Sequence, residues 1–215
     1  KGDITNMIRS YIHRCQKDGV KIVMNCEVTP ELIKEEKPDS VIIATGSKTL
    51  ILPIEGIDNP AIIHGSDLLD GKRPAGKKVL VVGGGMVGCE TAAFLGEQEH
   101  DVTVIEFRDT VGADVIHEHR VYLMKDFEDY GIKEITGAKV CKFYEDGVEY
   151  ETADGVRHET RGYDSVILSM GFRNYNPLEE KIKDLVPETH VIGDAIRARR
   201  ALDATKEAYE VASRL

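Results

Sequence analysis

The sequence lacks several features that define other classes of protein. It contains no tryptophan, and its four cysteines are scattered without a C-x-x-C pair, so neither a dithiol active site nor a zinc clip is expected. Reduced, unpaired thiols are typical of cytoplasmic proteins, and the cytoplasm is the predicted compartment. No apolar run approaches the roughly 20 residues that a membrane-spanning helix requires, so no membrane partner is expected.

Positive charge is also in short supply. The chain carries 28 lysines and arginines against 38 aspartates and glutamates, a net charge of −10. A nucleic-acid partner requires a basic face, so this balance argues against one. What is present, 41% hydrophobic and 31% charged residues over 215 positions, is typical of a globular protein of one or two domains. The sequence begins at Lys1 without a methionine or a leader, which indicates a piece of a longer protein.

The apolar spacing predicts an α/β fold in three segments. Residues 77–172 read as strand, helix, strand and helix, followed by a β-meander and a returning apolar strand. This order predicts a Rossmann-like parallel sheet, inserted into a partial FAD-binding domain formed by residues 1–76 and 173–215. The individually predicted elements are helices at 4–18, from Thr29, at 66–69, 86–99, 113–130 and 201–215, and strands at 21–24, 41–44, 79–82, 102–106, 165–169 and 191–192.

A glycine cluster after the predicted strand at 79–82 carries the clearest chemical signal. The pattern G-x-G-x-x-G is matched by Gly83-Gly84-Gly85-Met86-Val87-Gly88. The first glycine allows a tight turn, the second lets the backbone approach a diphosphate, and the third lets the following helix pack closely on the strand. The positive N-terminus of that helix is aimed at the phosphates. The loop is therefore predicted to bind a dinucleotide.

An acidic residue stands where such a motif needs one. Glu106, 23 residues after Gly83, ends the next predicted strand, where a carboxylate accepts hydrogen bonds from the adenosine ribose hydroxyls. It would repel a 2′-phosphate, which favours NADH over NADPH, although the guanidinium of Arg108 could receive that phosphate. The alternative, a glycine-rich turn that binds no ligand, is disfavoured because motif, spacing and carboxylate agree.

The remaining polar residues carry weaker signals. Glu90, in the helix behind the glycines, has two equally weighted roles: it complements the helix dipole or lies near the nicotinamide of a bound cofactor. His117 and His119 lie two positions apart and point in different directions on a helix, so no metal site is predicted. Cys89 is interpreted as a packed side chain rather than a nucleophile. Neither G-x-S-x-G nor H-E-x-x-H occurs, so a hydrolase is not predicted. No catalytic side chain is predicted in this segment.

Three segments, taken in order, resemble flavoproteins with two dinucleotide-binding domains. Residues 41–46 resemble their A-T-G motif, residues 83–106 their nicotinamide fingerprint, and residues 189–208 their C-terminal Gly-Asp segment. The short link before residue 41, the stretch 37–46 and the arginine-rich run 197–201 further resemble one branch of that group. It is the branch of old-yellow-enzyme-like NADH:flavin oxidoreductases, which includes 2,4-dienoyl-CoA reductase, NADH oxidase, enoate reductases and trimethylamine dehydrogenase.

The resemblance implies cofactors and a larger enzyme. It implies that FAD is held partly by Thr45, Gly46, Gly193 and Asp194 in the intact enzyme, with Gly171 in the same cofactor-binding set. Hydride would pass from NADH to FAD, and electrons would then pass through an iron–sulfur centre to FMN, which reduces an activated C=C bond. The FMN, the 4Fe-4S cluster and an N-terminal barrel domain are expected on a part that this sequence lacks. The segment alone is therefore expected to be catalytically silent.

Two alternatives and one departure accompany this resemblance. In the trimethylamine dehydrogenase branch the corresponding region holds ADP and performs no hydride transfer. The NAD domain of a disulfide reductase is a further alternative, disfavoured by the missing C-x-x-C. The departure is Glu99-His100-Asp101, where relatives usually end the helix with glycine. It predicts a strained or lengthened helix end.

Overall fold

A computed structural model describes residues 2–215 of the chain and has a mixed α/β architecture. The helices are α1 (Gly2–Lys17), α2 (Pro30–Glu36), α3 (Gly65–Leu69), α4 (Met86–Glu97), α5 (His117–Asp129), α6 (Glu179–Ile182) and α7 (Ala201–Ala212). The strands are β1 (Ser40–Ile43), β2 (Ser47–Thr49), β3 (Ile63–His64), β4 (Lys78–Val82), β5 (Asp101–Ile105), β6 (Lys133–Ile135), β7 (Lys139–Tyr144), β8 (Gly147–Glu151), β9 (Arg157–Thr160), β10 (Ser165–Leu168), β11 (Phe172–Asn174) and β12 (Glu188–Val191). A short 3-10 helix covers Gly193–Ala195.

The described chain divides into two compact units. The terminal unit comprises the residues up to Thr45 together with Asn176–Ile196 and Arg200–Leu215. The central unit comprises Gly46–Tyr175 and Arg197–Arg199. Each unit buries its own apolar residues, so each has a core that can be described by itself.

The terminal unit is built on the parallel pair β1 and β12, in which Ile43 lies opposite Val191. α2 begins where the sequence predicts, because the hydroxyl of Thr29 accepts a hydrogen bond from the Leu32 amide (3.3 Å) and a proline opens the helix. The core of this unit consists of Ile33, Ile43, Leu178, Ile182, Val186 and Ala195.

The strand predicted at residues 21–24 is wrong. This stretch has no regular secondary structure, and Ile22 and Met24 are 46% and 75% exposed. A strand forms only where a neighbouring strand accepts its backbone hydrogen bonds. None of the described strands pairs with residues 21–24, so apolar composition alone does not make them a strand.

The central unit contains the predicted parallel sheet, which is confirmed. Its strands lie in the order β3-β10-β4-β5-β6, all parallel. β4 occupies the middle, and Val79, Leu80 and Val81 are fully buried, as expected of a strand covered on both faces. The side chains of α4 and α5 share one core cluster with Val79 and Val81. The antiparallel meander β7-β8-β9 contributes Phe143 and Val148 to the second cluster.

Two details of the central unit differ from expectation. α5 begins at His117 rather than near residue 113, because residues 113–116 form part of an irregular loop that follows β5. The antiparallel pair β2 and β11 has no counterpart among the elements predicted from the sequence. Its three-residue strands are too short to produce a readable alternation pattern.

The C-terminus of α4 has the predicted strain. The helix ends at Glu97, and Glu99 adopts a left-handed conformation with φ of 64°. A non-glycine residue in this region brings its Cβ close to the following carbonyl. The missing glycine is therefore accommodated by backbone strain at Glu99.

Candidate dinucleotide site

The glycine loop lies at the carboxyl end of β4, where it leads directly into α4. Gly83 has φ of +104°, and a Cβ at this position would collide with the carbonyl oxygen of Ser169, the residue directly after β10. A Cβ on Gly88 would collide with the carbonyl oxygen of Gly83. The first and third glycines are thus required by backbone packing, as the motif predicts.

Glu106 lies beside this loop and is held by two backbone amides. Its Oε2 accepts a hydrogen bond from the Gly84 amide (2.6 Å), and its Oε1 accepts one from the Arg108 amide (2.9 Å). A carboxylate offers about four acceptor positions, so the side chain is fixed while lone pairs remain for further donors. Arg108 itself is exposed.

A second carboxylate at this site has no counterpart in the sequence motif. Oδ1 of Asp114 accepts a hydrogen bond from the amide of Met86 (3.0 Å), the first residue of α4. Gly85 occupies the N-cap position and makes no side-chain cap. A glycine N-cap leaves helix amides to be satisfied from elsewhere. A glycine at the N-cap position is therefore the sequence signal that could have pointed to an acidic residue in the β5–α5 loop (residues 106–116).

Glu90 lies one turn into α4 and faces a residue of α5. Its Oε1 is 3.5 Å from Nε2 of His119, and both side chains are partly exposed. This contact joins two helices that pack together, and it favours neither of the roles considered for Glu90. Among residues 2–215, no group of histidine, cysteine, aspartate and glutamate side chains could hold a metal ion.

Cys89, directly behind the loop, is a buried thiol. Its Sγ donates to the carbonyl of Gly84 (3.2 Å), and its side chain is fully buried. Burial raises the pKa of the Cys89 thiol from 9.0 to about 12. The thiolate is therefore absent at neutral pH, which is incompatible with a nucleophilic role.

Gly171 and Gly46 lie in irregular connections of the central unit. Gly171, with φ of +96°, follows β10, and its carbonyl accepts a hydrogen bond from the Leu50 amide (2.9 Å). Gly46, with φ of +76°, accepts one from the Tyr175 amide (3.0 Å) through its carbonyl. Both glycines adopt left-handed conformations that other residues rarely reach.

The other residues of the predicted FAD set lie in the terminal unit. Thr45 follows β1, and Gly193 and Asp194 follow β12. Since β1 and β12 are parallel and in register at their ends, these residues lie at the same edge of the strand pair. The amide of Gly193 donates to Oε2 of Glu207 (2.7 Å), a residue of α7.

The central unit contains a strand, a glycine turn, a helix and a second strand that is followed by an acidic residue. This order defines a dinucleotide-binding domain of the Rossmann type. The chain belongs to the pyridine nucleotide-disulphide oxidoreductase family, whose model matches residues 3–188. No helix within residues 2–215 combines the length and the apolar character that crossing a membrane demands.

Several known proteins are similar to almost the whole chain. A cinnamate reductase from Clostridium sporogenes is 29% identical and covers 100% of the chain. An NADH oxidase from Thermoanaerobacter brockii is 32% identical over 90% of it. The solved structure of a 2-naphthoyl-CoA reductase in complex with 2-naphthoyl-CoA covers 99% at 31% identity, with a TM-score of 0.89.

These matches confirm the predicted kinship with flavin-dependent NADH oxidoreductases. They also show that the chain is similar to only part of each relative. It spans 32% of the cinnamate reductase, 30% of the NADH oxidase and 32% of the 2-naphthoyl-CoA reductase.

Proposed function

We propose that the central unit binds NADH and presents it to FAD in a longer flavin-dependent oxidoreductase. The observation that carries this proposal is Glu106, fixed by the amides of Gly84 and Arg108 beside a loop whose glycines exclude side chains. The tight glycine turn brings the backbone at the start of α4 to a position where it can approach a diphosphate. NADH, when bound, supplies a hydride, and FAD accepts it.

The residues of the chain bind and orient in this scheme. Amides at the start of α4, near Met86 and Val87, stabilise the diphosphate together with the helix dipole. Glu106 holds the adenosine ribose. Glu90, one turn into α4, either lies near the nicotinamide or only complements the helix dipole. The residues of the proposed cofactor-binding set that are directed at FAD are Thr45, Gly46, Gly193 and Asp194, and Gly171 completes the set without an assigned cofactor.

The longer protein would complete the reaction. The reductase and oxidase names of the similar proteins support electron transfer to a further acceptor in the longer protein. We place FMN, a 4Fe-4S cluster and a barrel domain outside this sequence, with an activated C=C bond as the substrate class. The four free cysteines of this chain support a reducing, cytoplasmic compartment.

Calorimetric titration of the chain with NADH, NADPH and ADP tests the proposal. NADH is expected to bind more tightly than NADPH, because Glu106 repels a 2′-phosphate, and more tightly than ADP, because the nicotinamide half adds contacts. Equal affinities for NADH and ADP would instead identify a module that binds only the ADP half. Failure of all three ligands to bind would refute the dinucleotide site.

A substitution at Glu106 sharpens this test. Glu106→Gln removes hydrogen bonds from a charged acceptor, each worth about 1.5–3 kcal/mol, so the Kd for NADH should rise about tenfold or more. The Kd for NADPH should rise less, because the repulsion is also removed. Asp109→Asn removes the same charge from the same loop and serves as the matched control. An unchanged preference for NADH in Glu106→Gln would contradict the role given to this carboxylate.

A further inference from the structure

A carboxylate stands at the N-terminus of α4, and the proposed function does not account for it. Asp114 accepts a hydrogen bond from the Met86 amide at 3.0 Å, although the two residues are 28 positions apart. Its Oδ2 and Oδ1 lie 3.2 and 3.5 Å from the position that a Cβ on Gly85 would take. The carboxylate therefore covers the second glycine of the loop, where the backbone must approach a diphosphate.

A diphosphate and this carboxylate need the same donors. The first amides of a helix have no intrahelical acceptors, and together with the helix dipole they attract an anion. The Met86 amide is already occupied by Asp114. Two unit charges 4 Å apart in water repel by an amount equivalent to about a fivefold change in affinity. The two anions therefore compete for this helix end.

The backbone that carries Asp114 is fixed, whereas its side chain is free to turn. In the β5–α5 loop, the amide of Gly112 donates to the carbonyl of Gly84 (2.7 Å). Val111 and Val115 are buried, at 0% and 8% exposure. Asp114 is exposed, so rotation about its side-chain bonds moves the carboxylate into solvent without disturbing the core.

We propose that Asp114 is an internal competitor for the diphosphate site. In the free chain its carboxylate satisfies the N-terminus of α4, and it turns away when a diphosphate-bearing ligand binds. Asp114 thus lowers the affinity for dinucleotides while it stabilises the helix end in their absence. This inference rests on the proposed dinucleotide site in the central unit.

The test measures ADP and adenosine binding by calorimetry in the chain and three variants. Asp114→Asn removes the charge but keeps an oxygen that can accept from Met86, whereas Asp114→Ala removes both. We expect the Kd for ADP to fall about fivefold in Asp114→Asn and about tenfold in Asp114→Ala, from the charge repulsion and the lost competition. Glu118→Gln, the same charge loss in the first turn of α5, should change it less than about twofold. Adenosine, which has no phosphate, should bind equally to all four proteins.

The amide resonance of Met86 in 15N-labelled protein gives a second readout. It should differ between the free chain and free Asp114→Ala, and ADP should bring both to a common position. Circular dichroism establishes that each variant is folded, and Asp114→Asn keeps a cap should Asp114→Ala not fold.

The possible failures separate the two hypotheses. If the unmodified chain binds ADP and neither Asp114 variant binds it more tightly, the competition is refuted and the dinucleotide site stands. An equal gain in Glu118→Gln also overturns it, since the effect would then be one of net charge. If no folded variant binds ADP or NADH, the proposed function falls and the competition falls with it. If Asp114→Ala binds ADP and the unmodified chain does not, the result supports both the dinucleotide site and the competition.

Discussion

Replacing Gly88 by alanine tests the packing of the glycine loop, because two physical effects oppose each other there. Gly88 is the third residue of α4, and a glycine inside a helix is about 1 kcal/mol less favourable than alanine. Helix propensity alone therefore predicts that Gly88→Ala stabilises the chain. The structure predicts the reverse, because the new Cβ would collide with the carbonyl oxygen of Gly83.

The size of the loss follows from what the new methyl group meets. Overpacking typically costs about 1–3 kcal/mol, and the upper end applies here because the obstacle is backbone rather than a movable side chain. Subtracting the gain of about 1 kcal/mol from helix propensity leaves a net loss of about 2 kcal/mol. For a chain of this size, each kcal/mol lowers Tm by about 2–4 °C, so Tm should fall by about 4–8 °C.

Urea denaturation and scanning calorimetry of Gly88→Ala measure this loss, with Gly96→Ala as the matched control in the same helix. A Cβ on Gly96 would lie 2.8 Å from Cβ of Tyr130, a smaller overlap than the one between a Cβ on Gly88 and the carbonyl oxygen of Gly83. We expect Gly96→Ala to remain within about 1 kcal/mol of the unmodified chain. A Gly88→Ala variant that is as stable as the unmodified chain, or more stable, would refute the predicted collision with the Gly83 carbonyl.

Four further outcomes are expected. Glu99→Gly should stabilise the chain by about 0.5–1 kcal/mol in urea denaturation, because it relieves the strain of a non-glycine residue in the left-handed conformation. As a control, Gln98→Gly should destabilise the chain, because Gln98 has an ordinary φ of −92°. Thr29→Ala should cost about 1 kcal/mol through the lost cap of α2, and no measurable loss would show that the cap is dispensable. Cys89, with its pKa raised to about 12, should resist alkylation at pH 8, while the exposed Cys26 reacts. The same raised pKa makes the stability from Cys89 complete below pH 9, and that stability is lost as pH rises toward 12. Equal alkylation of both thiols in folded protein would contradict the burial.

Local patterns predicted the central sheet and the glycine loop well, because each depends on residues close together in the chain. The apolar run at 79–82, the glycines at 83, 85 and 88, and the acidic residue at the end of the next strand fall within 28 positions. Strand, turn and helix follow one another there, so propensity, turn chemistry and packing agree. The strain at Glu99 was predictable for the same reason, since a helix end needs its glycine locally.

The failures came from contacts between distant residues. Residues 21–24 have the composition of a strand, but a strand requires a partner that composition does not reveal. The β2–β11 pair joins residues 47–49 to residues 172–174, and neither segment is long enough to show alternation on its own.

The sequence by itself determined that this chain is a parallel α/β protein with a G-x-G-x-x-G loop after the first strand of its central sheet pattern and a carboxylate after the second strand. Both features follow from the spacing of residues that are close together in the sequence, because such spacing determines the local backbone conformation. Only the tertiary structure decided which groups meet the loop: Ser169 closes over Gly83, Glu106 is held by the Gly84 amide, and Asp114 covers the start of α4. Those contacts depend on the closure of loops that bring residues 22 to 86 positions apart into van der Waals or hydrogen-bond distance, and no local pattern encodes that closure.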